Sequence, residues 1–140
     1  MTNLRSPLRG LFLESLELKG KVFSGRGEGA KFIQLPWVQE QFLEKARFTP
    51  FKGTLNLKLS GKDVILRRKL EVATSLRIRP EAGYCEAKLY LASIRNLECA
   101  VVIPQVEDYP EDVLEVVSPV DLKKELRVRD KDEICVRVIL

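Results

Sequence analysis

The chain has 140 residues, of which 45% are hydrophobic and 31% charged, and its formal net charge at pH 7 is +4. This composition is typical of one globular domain, and no apolar run approaches the roughly 20 residues that a membrane-spanning helix needs. Because nothing near the N-terminus resembles a signal peptide, we expect a cytoplasmic protein without membrane attachment. The absence of histidine excludes Ser–His and Cys–His nucleophile pairs and most transition-metal sites.

Taken in chain order, apolar alternation and turn residues predict mainly short strands. The predicted strands cover residues 19–23, 54–59, 64–70, 73–78, 84–92, 99–103, 113–117 and 133–140. Within the fifth of these strands, the alternation places Leu89 and Leu91 on one face and Tyr84 and Tyr90 on the other. A half-buried strand, with one face toward the core, is the expected result.

Two segments predict helices. A proline that suits a first helical turn, followed by apolar residues at i, i+4 and i+8, predicts a helix over residues 37–46. Ser118, Pro119 and Asp121 form a close variant of a capping box with proline at the first helical position. We therefore expect a second helix over residues 119–126.

The order of these elements predicts a mainly β fold. Many short strands separated by glycine and proline turns favour a closed or nearly closed barrel, here with two short helices. The chain contains no internal repeat, low-complexity run or linker that would divide the barrel. We expect a single barrel domain over residues 17–140, preceded by an N-terminal extension over residues 1–16.

Residues 25–29 read Gly-Arg-Gly-Glu-Gly, so that glycine alternates with charged residues. Glycine adopts positive φ without strain and lets a ligand approach the backbone, so successive N–H groups can form a concave nest for phosphate oxygens. Arg26 and Lys31 can add charge-assisted contacts. The segment fits either a phosphate-binding loop or a flexible hairpin turn, and both stay open. Neither a P-loop motif nor a dinucleotide fingerprint is present.

Thr54 and Asn56 lie two residues apart on a predicted strand, so their side-chain oxygens point to the same side. Neutral oxygens suit Mg²⁺, which keeps several waters and takes further ligands from substrate phosphates. An ordinary polar pair on the solvated face of a strand is the alternative. Further along, Glu115 shares a strand face with Val113 and Val117, which places its carboxylate at a sheet edge or in a pocket.

The predicted helix at 119–126 offers a second anion site, because its first N–H groups are unpaired and the helix dipole favours negative charge there. Lys123 and Lys124 lie just inside this helix. A rival interpretation is a small basic barrel without enzymatic activity that follows a nucleic-acid backbone. The basic residues that support it are Arg67, Arg68, Lys69, Arg77, Arg79, Arg127 and Arg129. Acidic residues interspersed throughout the chain argue against it.

A series of short motifs runs through residues 18–126 in a fixed order. The motifs are Gly20-x-Val22-x-Ser24-Gly25-x-Gly27-Glu28-Gly29, Phe32, Leu35-Pro36, Gln41-Phe42, Phe48-x-Pro50-Phe51-x-Gly53-Thr54-Leu55-Asn56, Tyr84-Cys85-Glu86-Ala87-Lys88-Leu89-Tyr90, Ala100-Val101-Val102-Ile103-Pro104 and Val113-Leu114-Glu115-Val116-Val117-Ser118-Pro119. Each motif alone is weak, but together and in register they are specific. In this order the chain resembles the archaeal CTP-dependent riboflavin kinase family.

The resemblance implies a cradle-loop β-barrel that transfers the γ-phosphoryl group of CTP to the 5′-hydroxyl of riboflavin and yields FMN and CDP. It implies CTP as the phosphoryl donor, Mg²⁺ as the metal cofactor, and riboflavin and CTP as the partners. We further expect a monomer that does not bind nucleic acid. The implied nucleotide-binding positions are Gly25, Arg26, Gly27, Glu28, Gly29, Ala30, Val120, Asp121, Leu122 and Lys123.

The same resemblance assigns Thr54 and Asn56 to Mg²⁺ and Glu107 and Glu115 to the flavin. Glu107 stands in Glu-Asp-Tyr, where relatives carry a threonine ahead of the tyrosine, and Lys123 stands where relatives carry arginine. Glu115 is the implied catalytic position, either orienting the substrate or acting as a base, and both roles stay open.

Overall fold

The computed structural model describes residues 14–81 and 83–140. Within these ranges the chain forms seven strands and four helices. The strands are β1 (Ser15–Phe23), β2 (Leu55–Leu59), β3 (Leu76–Ile78), β4 (Ala87–Ile94), β5 (Leu97–Pro104), β6 (Val113–Val117) and β7 (Glu133–Ile139). The helices are α1 (Glu28–Ile33), α2 (Pro36–Ala46), α3 (Lys62–Val72) and α4 (Leu122–Leu126).

Six of the strands close into an antiparallel barrel, which confirms the predicted fold class. The strand order is β3-β4-β5-β6-β2-β1-β7, and β4 also pairs with β7 through Ala92 with Val138 and Ser93 with Arg137. The short strand β3 pairs with the first three residues of β4, Ala87 to Leu89. Closure pairs the long edges of the sheet, which removes the exposed edge that an open sheet would present.

The core has two parts, one inside the barrel and one outside it. Strict alternation in β1, where every second residue from Leu16 to Val22 is buried, fills the barrel interior with aliphatic side chains. A second cluster packs α1 and α2 against the outer faces of β4 and β5, with Phe42 and Leu89 fully buried. These two strands are therefore apolar on both faces, unlike a strand with one solvated face.

Both faces of β4 are packed against other parts of the protein, and the burial of two of its residues differs from the prediction. Tyr90 was expected on the polar face, but it is 2% exposed inside the barrel and its hydroxyl donates to the carbonyl oxygen of Leu70. Leu91, expected in the core, is 38% exposed. The strand also begins at Ala87, three residues later than predicted.

The predicted strand over residues 64–70 was also wrong, because these residues belong to helix α3. Its apolar residues do not all face the core: Leu70 is buried, whereas Ile65 is 62% exposed and Val72 is 89% exposed. Arg67 occupies a buried position instead. The inverted pattern, with an arginine inside and two β-branched residues outside, imitates a short apolar strand.

The chain therefore has four helices in the described ranges, not two. The helix predicted over residues 119–126 begins later, at Leu122, because the cap is Asp121 and not Ser118. Asp121 accepts a hydrogen bond from the backbone N–H of Lys124 at 3.4 Å, while the Ser118 hydroxyl donates to the carbonyl oxygen of Glu98 at 2.6 Å.

Most of the predicted N-terminal extension, residues 1–16, lies outside the described residues. Ser15 and Leu16 belong to β1, where Leu16 is 7% exposed and pairs with Val138. The division between an extension and a barrel domain over residues 17–140 stays a prediction. In the described ranges, every helix is too short or too polar to cross a membrane.

Candidate active site

Two of the predicted site residues, Asn56 and Glu115, are direct partners across neighbouring strands. The antiparallel register pairs Asn56 on β2 with both Phe23 on β1 and Glu115 on β6, and Glu115 in turn pairs with Val102 on β5. Flanking residues in β2 and β6 are buried in the barrel interior. Because strand side chains alternate, Asn56 and Glu115 lie side by side on the outer wall of the barrel.

The glycine-rich segment lies directly across this part of the barrel wall. A Cβ atom at Gly25 would lie 2.6 Å from Nδ2 of Asn56, and one at Gly29 would overlap Oε2 of Glu115 and lie 3.1 Å from Oγ1 of Thr54. Gly27 has a different role, because its φ of +87° is a conformation that other residues adopt only with strain. The segment therefore needs glycine at two positions for close approach and at one for backbone conformation.

The glycine-rich segment also starts a helix, which corrects the expectation of a loop or turn over residues 25–29. Helix α1 begins at Glu28 with Gly27 as its cap, and its first backbone hydrogen bond runs from Lys31 N to Gly27 O at 3.1 Å. The N–H groups of the first helical turn have no partner within the helix. These amides border a cleft, so the segment provides unpaired donors of the kind that bind phosphate oxygens.

Two concavities meet above the barrel wall. The first, which we call the polar cleft, has a volume of about 590 Å³ and is lined by Ser24 to Ala30, Asn56 and Lys123, among others. The second, the apolar pocket, has a volume of about 340 Å³. Its apolar lining comes from Phe32, Ile33, Tyr84, Ala87, Val102, Pro104, Val106 and Val117.

Five residues line both the polar cleft and the apolar pocket, and we call this group the junction. They are Glu28, Gly29, Thr54, Tyr109 and Glu115. A molecule with a flat apolar part and a polar tail can therefore place the first part in the apolar pocket and the second in the polar cleft. Glu115, whose position the sequence left between a sheet edge and a pocket, lies in a pocket.

The carboxylate of Glu115 is held by Tyr109, whose hydroxyl donates to its Oε1 at 2.5 Å. Burial raises the pKa of Glu115, the Tyr109 hydrogen bond lowers it, and nearby Glu28 raises it again, with a net increase above the ordinary value. Burial and the neighbouring Glu115 charge also raise the pKa of Tyr109, which Arg67 opposes. Tyr109 is therefore a neutral donor at physiological pH.

Residues 120–123, the second group of predicted nucleotide-binding positions, form a second wall beside the same cleft. Val120, Asp121, Leu122 and Lys123 line a small cavity of about 60 Å³ with Gly53 and Thr54. Of these four, Lys123 also lines the polar cleft. The fold thus brings the glycine-rich segment and residues 120–123 to the same place.

A polar network links the two walls. The Ser24 hydroxyl donates to Asp130 at 2.9 Å, and Lys123 Nζ lies 3.4 Å from both Ser24 Oγ and Asp130 Oδ1. The hydrogen bond from Ser24, followed by Lys123, lowers the pKa of Asp130 below its ordinary value. Sequence analysis missed Asp130, which lies in a charged turn before β7 with no signal that distinguishes it from its neighbours.

Glu107, predicted to contact the flavin together with Glu115, lies elsewhere. It is exposed and lines a third cleft of about 520 Å³, together with Arg67, Glu71 and Tyr109. The structure does not bring it beside Glu115. Tyr109, by contrast, lines the polar cleft, the apolar pocket and this third cleft, and was missed as a site residue. Its signal in the sequence was a single aromatic residue within an acidic loop.

The basic residues that favoured a nucleic-acid-binding barrel do not form a uniform basic surface. Arg67 is buried, Arg68 lies 3.6 Å from Glu111, and Arg77 lies 2.8 Å from Glu86. Pairing with carboxylates lowers the positive potential that attracts a phosphate backbone.

The donor set near Thr54 and Asn56 fits a hard cation that is held only partly by protein. Across residues 14–81 and 83–140, no group of three or more His, Cys, Asp or Glu side chains forms a ready metal cage. Thr54 and Asn56 instead offer neutral oxygens on the cleft wall, and the Glu115 carboxylate lies beside Thr54. This chemistry suits Mg²⁺, which retains waters and binds substrate phosphates.

The described residues form one antiparallel barrel with two adjoining concavities on its outer wall. The CTP-dep_RFKase family model, described as "Domain of unknown function DUF120", matches residues 22–138. The chain belongs to this family, which confirms the resemblance noted in its sequence.

Curated relatives named riboflavin kinase are similar over most of the chain. Those from Methanosarcina barkeri and Archaeoglobus fulgidus are 36% and 38% identical over 130 residues, which is 90% of this chain but 58% and 56% of the relatives. The relative from Pyrobaculum arsenaticum is 39% identical over 141 residues, covering 98% of this chain and 67% of its own length. The chain thus spans little more than half of the first two.

Proposed function

We propose that this chain carries the activity of a CTP-dependent riboflavin kinase, which transfers the γ-phosphoryl group of CTP to the 5′-hydroxyl of riboflavin. Family membership and the names of the curated relatives support this proposal. The observation that carries it is the junction, where a polar cleft beneath free backbone amides meets an apolar pocket. Phosphoryl transfer between a nucleotide and an alcohol on a flat aromatic molecule needs two such compartments with a shared boundary.

In this proposal the nucleotide occupies the polar cleft. The amides at the start of α1 would bind its phosphate oxygens, and Arg26 and Lys123, which also line the cleft, would add positive charge. The small cavity lined by Val120, Asp121 and Leu122 would hold a further part of the nucleotide. This arrangement uses both walls that the sequence motifs identified.

Riboflavin in this proposal places its ring system in the apolar pocket. Phe32 and Tyr84 lie on one side of this pocket, with ring centroids 6.2 Å apart, and both contact Trp37. Aromatic walls of this kind stack on flat ligands. The ribityl chain would then pass the junction toward the polar cleft. A second flavin contact by Glu107 stays a prediction, since its cleft adjoins the apolar pocket through Tyr109.

Thr54 and Asn56 would hold Mg²⁺ together with the nucleotide phosphates. When bound, Mg²⁺ supplies charge neutralisation for the phosphates and alignment of the transferred group. The donors present fit this role, because two neutral protein oxygens leave room for waters and phosphate oxygens.

The residues of the chain contribute mainly position and electrostatics. Glu115 would accept a hydrogen bond from the 5′-hydroxyl and direct that oxygen toward the γ-phosphoryl group, while Tyr109 keeps the carboxylate in place. The raised pKa of Glu115 brings it closer to the range in which a carboxylate accepts a proton during reaction. Helix α1 packs closely on Glu115 and Thr54 of the junction at Gly29. We further propose a cytoplasmic monomer.

The test is incubation of the 140-residue chain with riboflavin, Mg²⁺ and each of the four common nucleoside triphosphates, followed by separation and detection of FMN. We expect FMN with CTP and much less with the other three donors. Failure to form FMN with any donor, although the protein is folded, would contradict the proposal. Salt-sensitive binding to DNA or RNA in the same preparation would favour the nucleic-acid-binding alternative.

A further inference from the structure

Arg67 contacts two structural features that lead to Glu115. It lies on α3, is 3% exposed, and its Nε donates to the carbonyl oxygen of Val113, the first residue of β6, at 3.0 Å. Its Cζ lies 5.9 Å from the ring centroid of Tyr109, within the range of a cation–π contact. One guanidinium therefore holds both ends of the segment from Tyr109 to Val113.

The guanidinium lacks the partner that a buried charge usually has. Within the described residues Arg67 forms no ion pair, and its Nη2 is buried without a hydrogen-bond partner. Burial of a charge without a carboxylate partner is unfavourable, and apolar residues of similar volume are often at least as stabilising. The neighbouring Arg68 has a 59% exposed side chain and pairs with Glu111. A contribution to stability therefore does not explain why an arginine is buried at position 67.

From this geometry we propose that Arg67 is a positioning residue for the flavin side of the active site. The proposal rests on the kinase function proposed above and deepens it. Arg67 lines neither the polar cleft nor the apolar pocket, so it acts through Tyr109. It holds the Tyr109 ring in the orientation that keeps the hydroxyl on Glu115 Oε1 and fixes the start of the strand that carries Glu115.

This role predicts a selective effect on the two substrates. The contacts of Arg67 lead to Tyr109 and Val113, which border the polar cleft but are not among the proposed nucleotide-binding positions, and the contact with Glu115 is on the riboflavin side. Loss of the guanidinium should therefore weaken the use of riboflavin and leave the binding of CTP nearly unchanged. A merely structural role would lower both together.

The test compares Arg67→Met with the matched control Arg68→Met, using FMN formation by the full chain with each substrate varied in turn. Methionine keeps an apolar stem but removes the guanidinium. For Arg67→Met we expect kcat/KM for riboflavin to fall about tenfold, which is about the size of one partly desolvated cation–π contact, and KM for CTP to stay within about twofold. Arg68→Met should match the wild type in both.

A double variant examines whether the effect passes through Tyr109. In a Tyr109→Phe background, where the hydroxyl is already lost, Arg67→Met should cause a smaller loss in kcat/KM for riboflavin than in the wild type, because only the contact with Val113 remains to be lost. A full further loss would overturn the positioning role, as would equal losses for riboflavin and CTP. Should thermal unfolding show that Arg67→Met is not folded, Arg67→Lys replaces it. Its expected loss is smaller but still selective, and unchanged riboflavin kinetics would overturn the role.

The outcomes separate this inference from the function on which it rests. If the wild-type chain forms no FMN from riboflavin with any nucleoside triphosphate, the proposed kinase function is wrong and the role of Arg67 is wrong with it. If the wild type is active and Arg67→Met behaves like Arg68→Met, the kinase function stands and the positioning role alone is wrong.

Discussion

Gly29 and Glu115 touch across the site so closely that a methyl group at position 29 would overlap the carboxylate oxygen Oε2. The backbone of α1 therefore packs on the barrel wall with no room for a side chain. This contact joins the segment proposed for the nucleotide to the carboxylate proposed for riboflavin, although the two are distant in the chain.

Replacement of Gly29 by alanine should remove activity with little loss of stability. The added methyl group would displace Glu115 and press on Thr54, so we expect kcat/KM for riboflavin to fall by about a hundredfold or more, as when a positioned polar group is lost. The gain in helix propensity of up to about 1 kcal/mol offsets much of the cost of this overlap, so thermal unfolding should show a Tm close to that of the wild type. A variant with wild-type kinetics would contradict the importance of this contact.

Gly61→Ala is the matched comparison and should have the opposite effect. Gly61 precedes α3 with a φ of +55°, and a Cβ atom there would meet nothing within 4 Å. We expect the free energy of unfolding to fall by about 1 kcal/mol because of backbone strain, with kcat and both KM values unchanged. Together the two variants distinguish the effect of close packing at the active site, which Gly29→Ala tests, from the effect of backbone strain, which Gly61→Ala tests.

Combined replacement of Thr54 and Asn56 by alanine should abolish turnover and leave the fold intact. Asn56 lies on β2 and Thr54 immediately precedes it, and both side chains face the polar cleft and not the barrel interior. We expect kcat to fall at least about a hundredfold, because the metal and phosphates lose their protein ligands. Lys58→Ala, an exposed position on the same strand, is the control and should keep activity. Full activity in the double variant would remove the Mg²⁺ assignment.

Glu115→Gln should stabilise the protein while it lowers activity. Because burial and Glu28 raise the pKa of Glu115 despite the Tyr109 hydrogen bond, the ionised carboxylate at neutral pH lowers the stability of the folded state. Glutamine keeps the shape and an acceptor for Tyr109, so we expect a gain on the order of 1 kcal/mol, or a few degrees in Tm, at pH 7. FMN formation should fall strongly.

The stability gain of Glu115→Gln should depend on pH in a defined direction. A carboxyl group with a raised folded pKa binds more protons in the folded than in the unfolded state between the two pKa values, so wild-type stability falls as pH rises through that window. The difference between variant and wild type should therefore be greatest above the folded pKa of Glu115 and vanish below its ordinary value of 4.5. Denaturant unfolding at several pH values measures this, and a gain independent of pH would contradict it.

Tyr109→Phe should shift the acidic limb of the pH profile for riboflavin. The Tyr109 hydrogen bond lowers the pKa of Glu115 against the larger effect of burial, so its loss raises that pKa further. If the ionised carboxylate is the active form, kcat/KM for riboflavin should begin to fall at a higher pH than in the wild type. Tyr84→Phe, in the same pocket but without this hydrogen bond, should leave the limb in place. If the acidic limb of Tyr109→Phe stays in place, the proposed effect of Tyr109 on the pKa of Glu115 is wrong.

Much of the fold could be predicted because most strands alternate as half-buried strands do. In β1 and β2 every second residue is buried, and the glycine and proline turns between strands mark a barrel. The prediction was wrong in α3, where buried Arg67 and exposed Val72 invert the usual pattern, and at Tyr90, where helices cover the outer face of the strand. Both errors come from tertiary contacts that a local pattern does not contain.

The candidate site could be predicted where backbone requirements leave a mark in the sequence. Glycine at 25, 27 and 29 is such a mark, and the structure gives each a steric or conformational reason. Tyr109 and Asp130 could not be found in this way, because a lone tyrosine or aspartate in a charged loop has many uses. Their contacts with Glu115 and Lys123 span only six and seven residues of sequence, but they depend on how irregular loops orient each side chain, which a residue pattern does not specify.

The most direct test of the account is a crystal structure of the chain with riboflavin, Mg²⁺ and a non-hydrolysable CTP analogue. We expect the phosphates at the N–H groups of residues 28–30, the flavin ring in the apolar pocket against Phe32 and Tyr84, and the 5′-hydroxyl within hydrogen-bond distance of Glu115 at about 3 Å. A flavin ring in the cleft lined by Glu107, or phosphates away from the glycine-rich segment, would contradict the central claim that the junction is where the phosphoryl group is transferred.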